Sequence, residues 1–310
     1  MLKFRTEGYN GYSVQFSPFF ENKLACAASA NFGLVGNGRL YVLDTGVGPA
    51  GIAVSNMYDT QDGLYDVAWS EQNENQLATS SGDGSVKLWD VNAPQFPIKN
   101  WQEHQREVFS VNWNFIKKDT FITSSWDHTI KLWSPQSPTS LMTFAEHSHC
   151  VYNASWSPTN PDMFASASGD QTVKLWDTKM PNSVQTIRAH ANEVLSLDWN
   201  KYREGMIVTG SVDNTAKVWD IRFPDRPVTI LRGHEFAIRN VKCSPHHSDL
   251  IATTSYDMTT RFWDITKSQL LHVHDLHTEF VLGVDFNLYR EGQVATCAWD
   301  EHIHIFNPPC

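Results

Sequence analysis

Histidine, aspartate and hydroxyl side chains recur along this 310-residue chain at spacings that could do chemistry. His272, His274 and His277 fall close enough together to suggest a zinc site, because clustered imidazoles are common ligands of that ion. His104, Thr123 and Asp127, and again His147, Ser166 and Asp170, combine the hydroxyl, imidazole and carboxylate of a nucleophile relay. Their very repetition argues for a structural role, since an enzyme needs one such set. The chain also lacks a GxxxxGKS/T phosphate loop, a GxSxG nucleophile elbow and an HExxH zinc helix. No catalytic residue, metal or cofactor is therefore expected. Cys26, Cys150, Cys243, Cys297 and Cys310 are an odd set with no CxxC pair, which predicts free thiols.

The elements carrying these groups follow from a period. Trp89, Trp133, Trp176, Trp219 and Trp263 recur every 43 or 44 residues, and Phe306 continues the series. Asp83, Asp127, Asp170, Asp213, Asp257 and Asp300 each precede that aromatic by six residues. His104, His147, His190, His234 and His277 keep the same phase. Between the markers apolar and polar residues alternate, as in DVAWS, LATSS and VKLWD, and Gly-Asp, Asp-Asn or Asp-His pairs stand at the joins. Alternation of that kind broken by turn residues is the pattern of short antiparallel strands. Each unit supplies three clear strands and a fourth in the variable stretch, which makes a four-stranded propeller blade.

These units resemble WD repeats. The resemblance implies that the sets His104–Thr123–Asp127–Trp133, His147–Ser166–Asp170–Trp176, His190–Thr209–Asp213–Trp219 and His234–Thr253–Asp257–Trp263 are buried hydrogen-bond chains. The unit at 60–90 has Thr60 in place of the His, and the last ends in Phe306, which cannot donate. A degenerate unit spans 9–44, and further units span 104–133, 147–177, 190–220, 234–264 and 277–306. The expected fold is an all-β, seven-bladed WD-repeat propeller forming one domain over 1–310. A length that would otherwise suit two domains is absorbed by the repeats. The last unit stops at its third strand, and Leu2, Phe4 and Thr6 alternate with Lys3 and Arg5, so residues 1–8 are expected to supply the closing strand.

In WD-repeat rings the residues just after each repeat His and just before each turn Asp form one face around the channel. Carried onto this chain, the likeness selects Asp62, Tyr65, Glu107, Phe109, Trp126, Tyr152 and Glu193 as candidate binding residues. Asn10, Tyr12, Gly63, Cys150, Leu195, Arg239 and Tyr256 border them, and Leu282 and Trp299 are further candidates for exposed apolar contacts. The face is aromatic and acidic. A formal charge of −10 agrees, disfavouring nucleic acid and favouring a basic peptide. Neither a secretory signal nor an apolar run long enough to span a membrane is expected from the sequence.

Tyr9–Phe19, Asn31–Arg39, Tyr65–Glu71, Asn200–Tyr202 and His277–Phe280 are not dictated by the repeat, and together they closely resemble the peroxin-7 family. That resemblance implies a soluble import receptor for the N-terminal type 2 peroxisomal targeting signal, which is a helical segment with a leading basic residue. It further implies a co-receptor, delivery to the docking machinery of the peroxisome, and a protein that cycles between cytoplasm and peroxisome. Glu107 and Asp62 would receive the basic residue, Tyr65, Phe109, Trp126 and Tyr152 the aliphatic ones, and Leu282 and Trp299 the co-receptor. An alternative rests on Ile207–Arg222, which resembles the extended WD motif of substrate receptors for cullin-type ubiquitin ligases, with Arg222 facing the adaptor.

Overall fold

The computed structural model describes residues 1–47, 51–93 and 96–309. They form seven four-stranded antiparallel sheets, each built in chain order from the channel outward except the last. We number these blades 1 to 7 and letter the four strands of each a to d from the channel outward. Blade 1 begins with Asn10–Phe16 and blade 2 with Leu64–Trp69. Blades 3 to 7 begin with Val108–Trp113, Val151–Trp156, Val194–Trp199, Ile238–Cys243 and Val281–Phe286. The expected all-β seven-bladed propeller is thus the architecture found. A single turn of 3-10 helix, Ala30–Gly33, is the one helical element among the described residues.

Blade 7 takes its outer strand from the N-terminus. Leu2–Arg5 pairs antiparallel with His302–Phe306, setting Leu2 opposite Ile305 and Phe4 opposite Ile303. Leu2 and Phe4 pack on a core shared by blades 1 and 7, while Lys3 and Arg5 face water, the alternation that fixes strand register. Closure removes a free sheet edge, an otherwise exposed template for association.

The repeat aspartates do two tasks. In the b–c turns of blades 2 to 7 one carboxylate oxygen accepts the backbone N–H two residues on, from Ser85, Thr129, Thr172, Thr215, Thr259 or His302, at 2.8–3.0 Å. The intervening residue lies at positive φ in every case, and only Gly84 of the six is a glycine. The Asp bond offsets the roughly 1 kcal/mol that a left-handed L-residue costs. The second oxygen, where a repeat His exists, accepts from imidazole Nδ1. For blade 3 the chain runs from the Trp133 indole to Thr123 Oγ1 at 2.8 Å, from that hydroxyl to His104 Nε2 at 2.8 Å, and from Nδ1 to Asp127 at 2.7 Å.

Blades 4, 5 and 6 repeat the chain through Ser166, Thr209 and Thr253. Blade 7 retains His277, Thr296 and Asp300, with Phe306 closing it without a donor. In blade 2, Trp89 still donates to Thr79, and Lys87 pairs with Asp83 where the imidazole is missing. A second class of tryptophan links blades: Trp69, Trp156 and Trp199 each donate to a main-chain carbonyl of the preceding blade.

Candidate functional site

Every blade has a register shift between its first and second strands, at the end of the channel formed by the d–a and b–c loops. The residues passed over at these shifts are Tyr12, Tyr65, Phe109, Tyr152, Leu195, Arg239 and Leu282. A bulge re-aims its side chain and kinks the strand, and here it gathers one residue per blade around the channel mouth. The b–c turn adds the residue before each repeat Asp. Trp126, Tyr256 and Trp299 are large, whereas Gly82 leaves space for Asp62 and Tyr65, both about 3 Å from where its Cβ would stand.

These residues assemble an aromatic track. Ring centroids lie 4.9 Å apart for Tyr256 and Phe280, and 5.2 Å for Phe280 and Trp299. The track continues through Trp299–Tyr12 at 5.9 Å, Tyr12–Tyr65 at 5.1 Å, Tyr65–Phe109 at 4.8 Å and Phe109–Trp126 at 5.0 Å. Tyr152 meets both Phe109 and Trp126 edge-on. Such offset and edge contacts are favourable pairings of aromatic rings. Trp126 and Trp299 have indole N–H groups without a hydrogen-bond partner among the described residues, an uncommon state for buried donors.

Acids border the track. Burial, then Asp62 and Glu107 beside it, push the Tyr65 phenol up to about 12. Tyr152 donates to Glu193 at 2.7 Å, and burial together with that carboxylate raises its pKa as well. Arg239 reaches over the Phe109 ring at 5.7 Å, and Arg106 stands 3.7 Å from Glu107. Asp62, Tyr65, Glu107, Phe109, Trp126, Tyr152 and Glu193 are therefore brought to one face.

One expectation changes. Leu282 is 2% exposed and packs with Tyr12 and Tyr65, with Phe280 and Trp299 against that cluster; it is no exposed apolar contact. Trp299 is half-buried within the track. Phe32 and Phe280 belong to the site and were missed. Phe280 stands three residues after His277, the position that selects Glu107 and Glu193 in their units. Phe32 is 46% exposed and belongs to no repeat position. Its loop is held by Tyr12 Oη donating to Phe32 O, Tyr65 Oη to Gly33 O, and Phe32 N to Asn10 Oδ1.

The groups first suspected of chemistry are occupied otherwise. In blades 3 to 6 the repeat hydroxyl accepts from an indole and lies against an imidazole that is itself bound to Asp; Thr79 keeps only the indole and Thr296 only the imidazole. Burial alone would raise Asp127, but His104 and Thr129 hold it well below the usual carboxylate range. His272 lies outside the imidazole cluster; the residues that meet are His274, His277 and His304. His277 and His304 stack face to face at 3.9 Å with planes 15° apart, so a metal cannot lie in the plane of both rings. Both nitrogens of His277 are already bonded to Thr296 and Asp300. Cys26, Cys150, Cys243 and Cys297 are free thiols, and Cys310 lies outside the described residues. Arg222 folds back on Asp220 through two bonds of 2.7–2.8 Å.

Residues 142–263 match the family model described as EIPR1 beta-propeller, and residues 54–90 and 95–134 match the WD domain, G-beta repeat. The Peroxisomal targeting signal 2 receptor of Dictyostelium discoideum is 55% identical over 289 residues, covering 92% of this chain and 91% of that protein. Peroxisome biogenesis protein 7 of Arabidopsis thaliana is 53% identical over 301 residues, covering 96% and 95%. The Peroxisomal targeting signal 2 receptor of Mus musculus is 46% identical over 308 residues, covering 99% and 96%. With relatives this similar along nearly their whole lengths, the chain belongs to the family of peroxisomal targeting signal 2 receptors.

Proposed function

We propose that this chain binds the N-terminal type 2 targeting signal of peroxisomal matrix proteins as an amphipathic helix laid on the aromatic track. The observation that carries the reading is the joining of that track to Asp62, Glu107 and Glu193 on one face. Residues seven apart on a helix share a side and stand roughly 10 Å from one another. A leading Arg or Lys reaches Glu107 and Asp62, while Tyr65, Phe109, Trp126 and Tyr152 take the aliphatic positions. The helix-in-groove mode uses this combination of apolar floor and charged border.

A co-receptor then closes over the bound helix. Trp299 with the neighbouring Phe32, Leu34 and Val35 offers it an apolar edge, in which buried Leu282 has no direct part. The pair is delivered to the docking machinery, and the receptor cycles between cytoplasm and peroxisome. No helix among the described residues is long and apolar enough to cross a membrane.

Titration calorimetry with a synthetic signal peptide tests the site. Glu107→Arg should weaken binding by at least about 30-fold, the scale of losing one close charge pair and gaining a repulsion. Reversing the peptide's leading base to Glu should do the same to wild type. Binding within about twofold of wild type would place the site elsewhere.

A further inference from the structure

The channel has a second mouth on the face opposite the aromatic track. There the position two residues beyond the end of each first strand forms a ring, one residue per blade. Five are apolar: Pro18, Phe115, Pro158, Pro245 and Leu288. Together with Phe16, Trp113, Phe286 and Tyr202 they enclose a cavity of about 500 Å³, a volume within the range of small-ligand and side-chain pockets.

The loops that carry this ring are held in place before any ligand arrives. Ser17, Ser157 and Ser244, each preceding a ring proline, accept backbone N–H groups of their own turns. Tyr202 donates to Pro245 O and Tyr289 to Pro18 O, tying blade 5 to 6 and blade 7 to 1. Rigid walls reduce the ordering cost of binding.

The two remaining ring positions are charged, and they differ. Lys201 is matched, its Nζ lying 2.8–2.9 Å from both oxygens of Asp198 and 2.8 Å from Trp199 O. Deeper in, Lys242 pairs with Asp285 at 3.1 Å. Those inner acids also serve the ring itself, since Asp198 accepts the Cys243 N–H and Asp285 the Phe16 N–H of the next blade. Glu71 has no hydrogen-bond or ion-pair partner among the described residues. Burial raises its pKa, and Lys118 acts on it only through space. An unmatched, half-buried carboxylate in an apolar ring is costly where it stands, and a cation flanked by apolar surface would relieve that cost.

We propose that this second mouth docks a peptide segment of another protein that inserts an arginine or lysine against Glu71 and an adjacent bulky apolar residue between Phe115 and Leu288. The charge complementarity to Glu71 selects the cation, and the apolar ring selects its neighbour. The site lies across the channel from the signal-binding face, so one molecule could hold both partners. It does not depend on the proposed signal site.

Methyl-labelled protein tests this by nuclear magnetic resonance, with acetyl-Phe-Arg-amide as probe and acetyl-Phe-Glu-amide as control. The Arg probe should shift the Leu288 methyl groups saturably while leaving Leu195 and Leu282, on the other face, unmoved. Glu71→Gln should weaken that binding by about fivefold or more without altering the fold, as an exposed-to-half-buried charge pair allows. The proposal fails if Leu288 does not respond up to about 10 mM probe, a Kd beyond which no specific site need be invoked. It also fails if the Glu probe binds equally or Glu71→Gln binds unchanged. Leu288 shifts that depend on protein concentration alone would assign the mouth to a second copy of this chain and overturn the peptide assignment.

Discussion

Thr123 shows how one hydroxyl can govern a blade. It accepts from the Trp133 indole and donates to His104, so Thr123→Val leaves a buried donor and a buried acceptor unpaired. We expect a loss of about 1–3 kcal/mol in denaturant unfolding, whereas Thr123→Ser should stay close to wild type because Ser166 fills the equivalent place in blade 4. A second residue-scale test concerns His274 and His304, bonded to each other at 3.0 Å, where blades 2 to 6 carry a lysine or arginine in place of His304 and blades 2 to 5 an apolar residue in place of His274. Burial, then His277, lowers His274 to about 4 and His304 to about 3; His272 and Lys3 add to it, opposed by Asp275 and Asp300. The unfolded imidazoles take up protons from about pH 6.5 downward while the folded ones do not. Stability should therefore be full above pH 6.5 and fall as pH drops through 6 and 5 toward 4. Replacing the pair as His274→Phe with His304→Lys should flatten that slope in urea titrations at stepped pH.

The closing strand is the element on which the ring depends most. Removing residues 1–8 would strip Leu2 and Phe4 from the core shared by blades 1 and 7 and bare the edge of His302–Phe306. Scanning calorimetry should show a midpoint lower by at least about 5 °C, with aggregation through the open edge; an unchanged midpoint would mean that blade 7 is stable with three strands. Much of this was legible beforehand. Alternation in Leu2–Thr6 and the missing fourth strand of the last unit together indicated the closure. The bulges were not legible, because a bulge is one extra residue in a ladder whose partner strand must be known before the mismatch can be counted. Nor was the burial of Leu282, because Tyr12, Tyr65, Phe280 and Trp299 reach it from three blades and no repeat position records that packing. Phe280, by contrast, could have been found from its offset to His277.

At the scale of the whole molecule, an acidic receptor with a basic ligand should show its charge in kinetics. With a formal charge of −10 and acids gathered around one mouth, association of a basic signal peptide should slow roughly tenfold between about 0.05 and 0.5 M salt. Dissociation should change less, since the aromatic track is insensitive to screening. Stopped-flow fluorescence from Trp126 and Trp299 can follow both rates, and an association rate independent of salt would remove the acids from the encounter step.

The period of Trp, Asp and His determined by itself the blade and the place of six of them, and the alternating strands at 9–44 and Leu2–Thr6 added the seventh blade and the seam. Composition added the sign of the ligand. Which residues face one another across the ring was decided only by tertiary structure. Tyr256 of blade 6 and Tyr152 of blade 4 end a track that runs through blades 7, 1, 2 and 3, because a closed ring turns the members to a common centre. The same closure sets Glu71 unmatched among apolar ring residues from five other blades, a consequence of ring geometry that no local pattern of residues encodes.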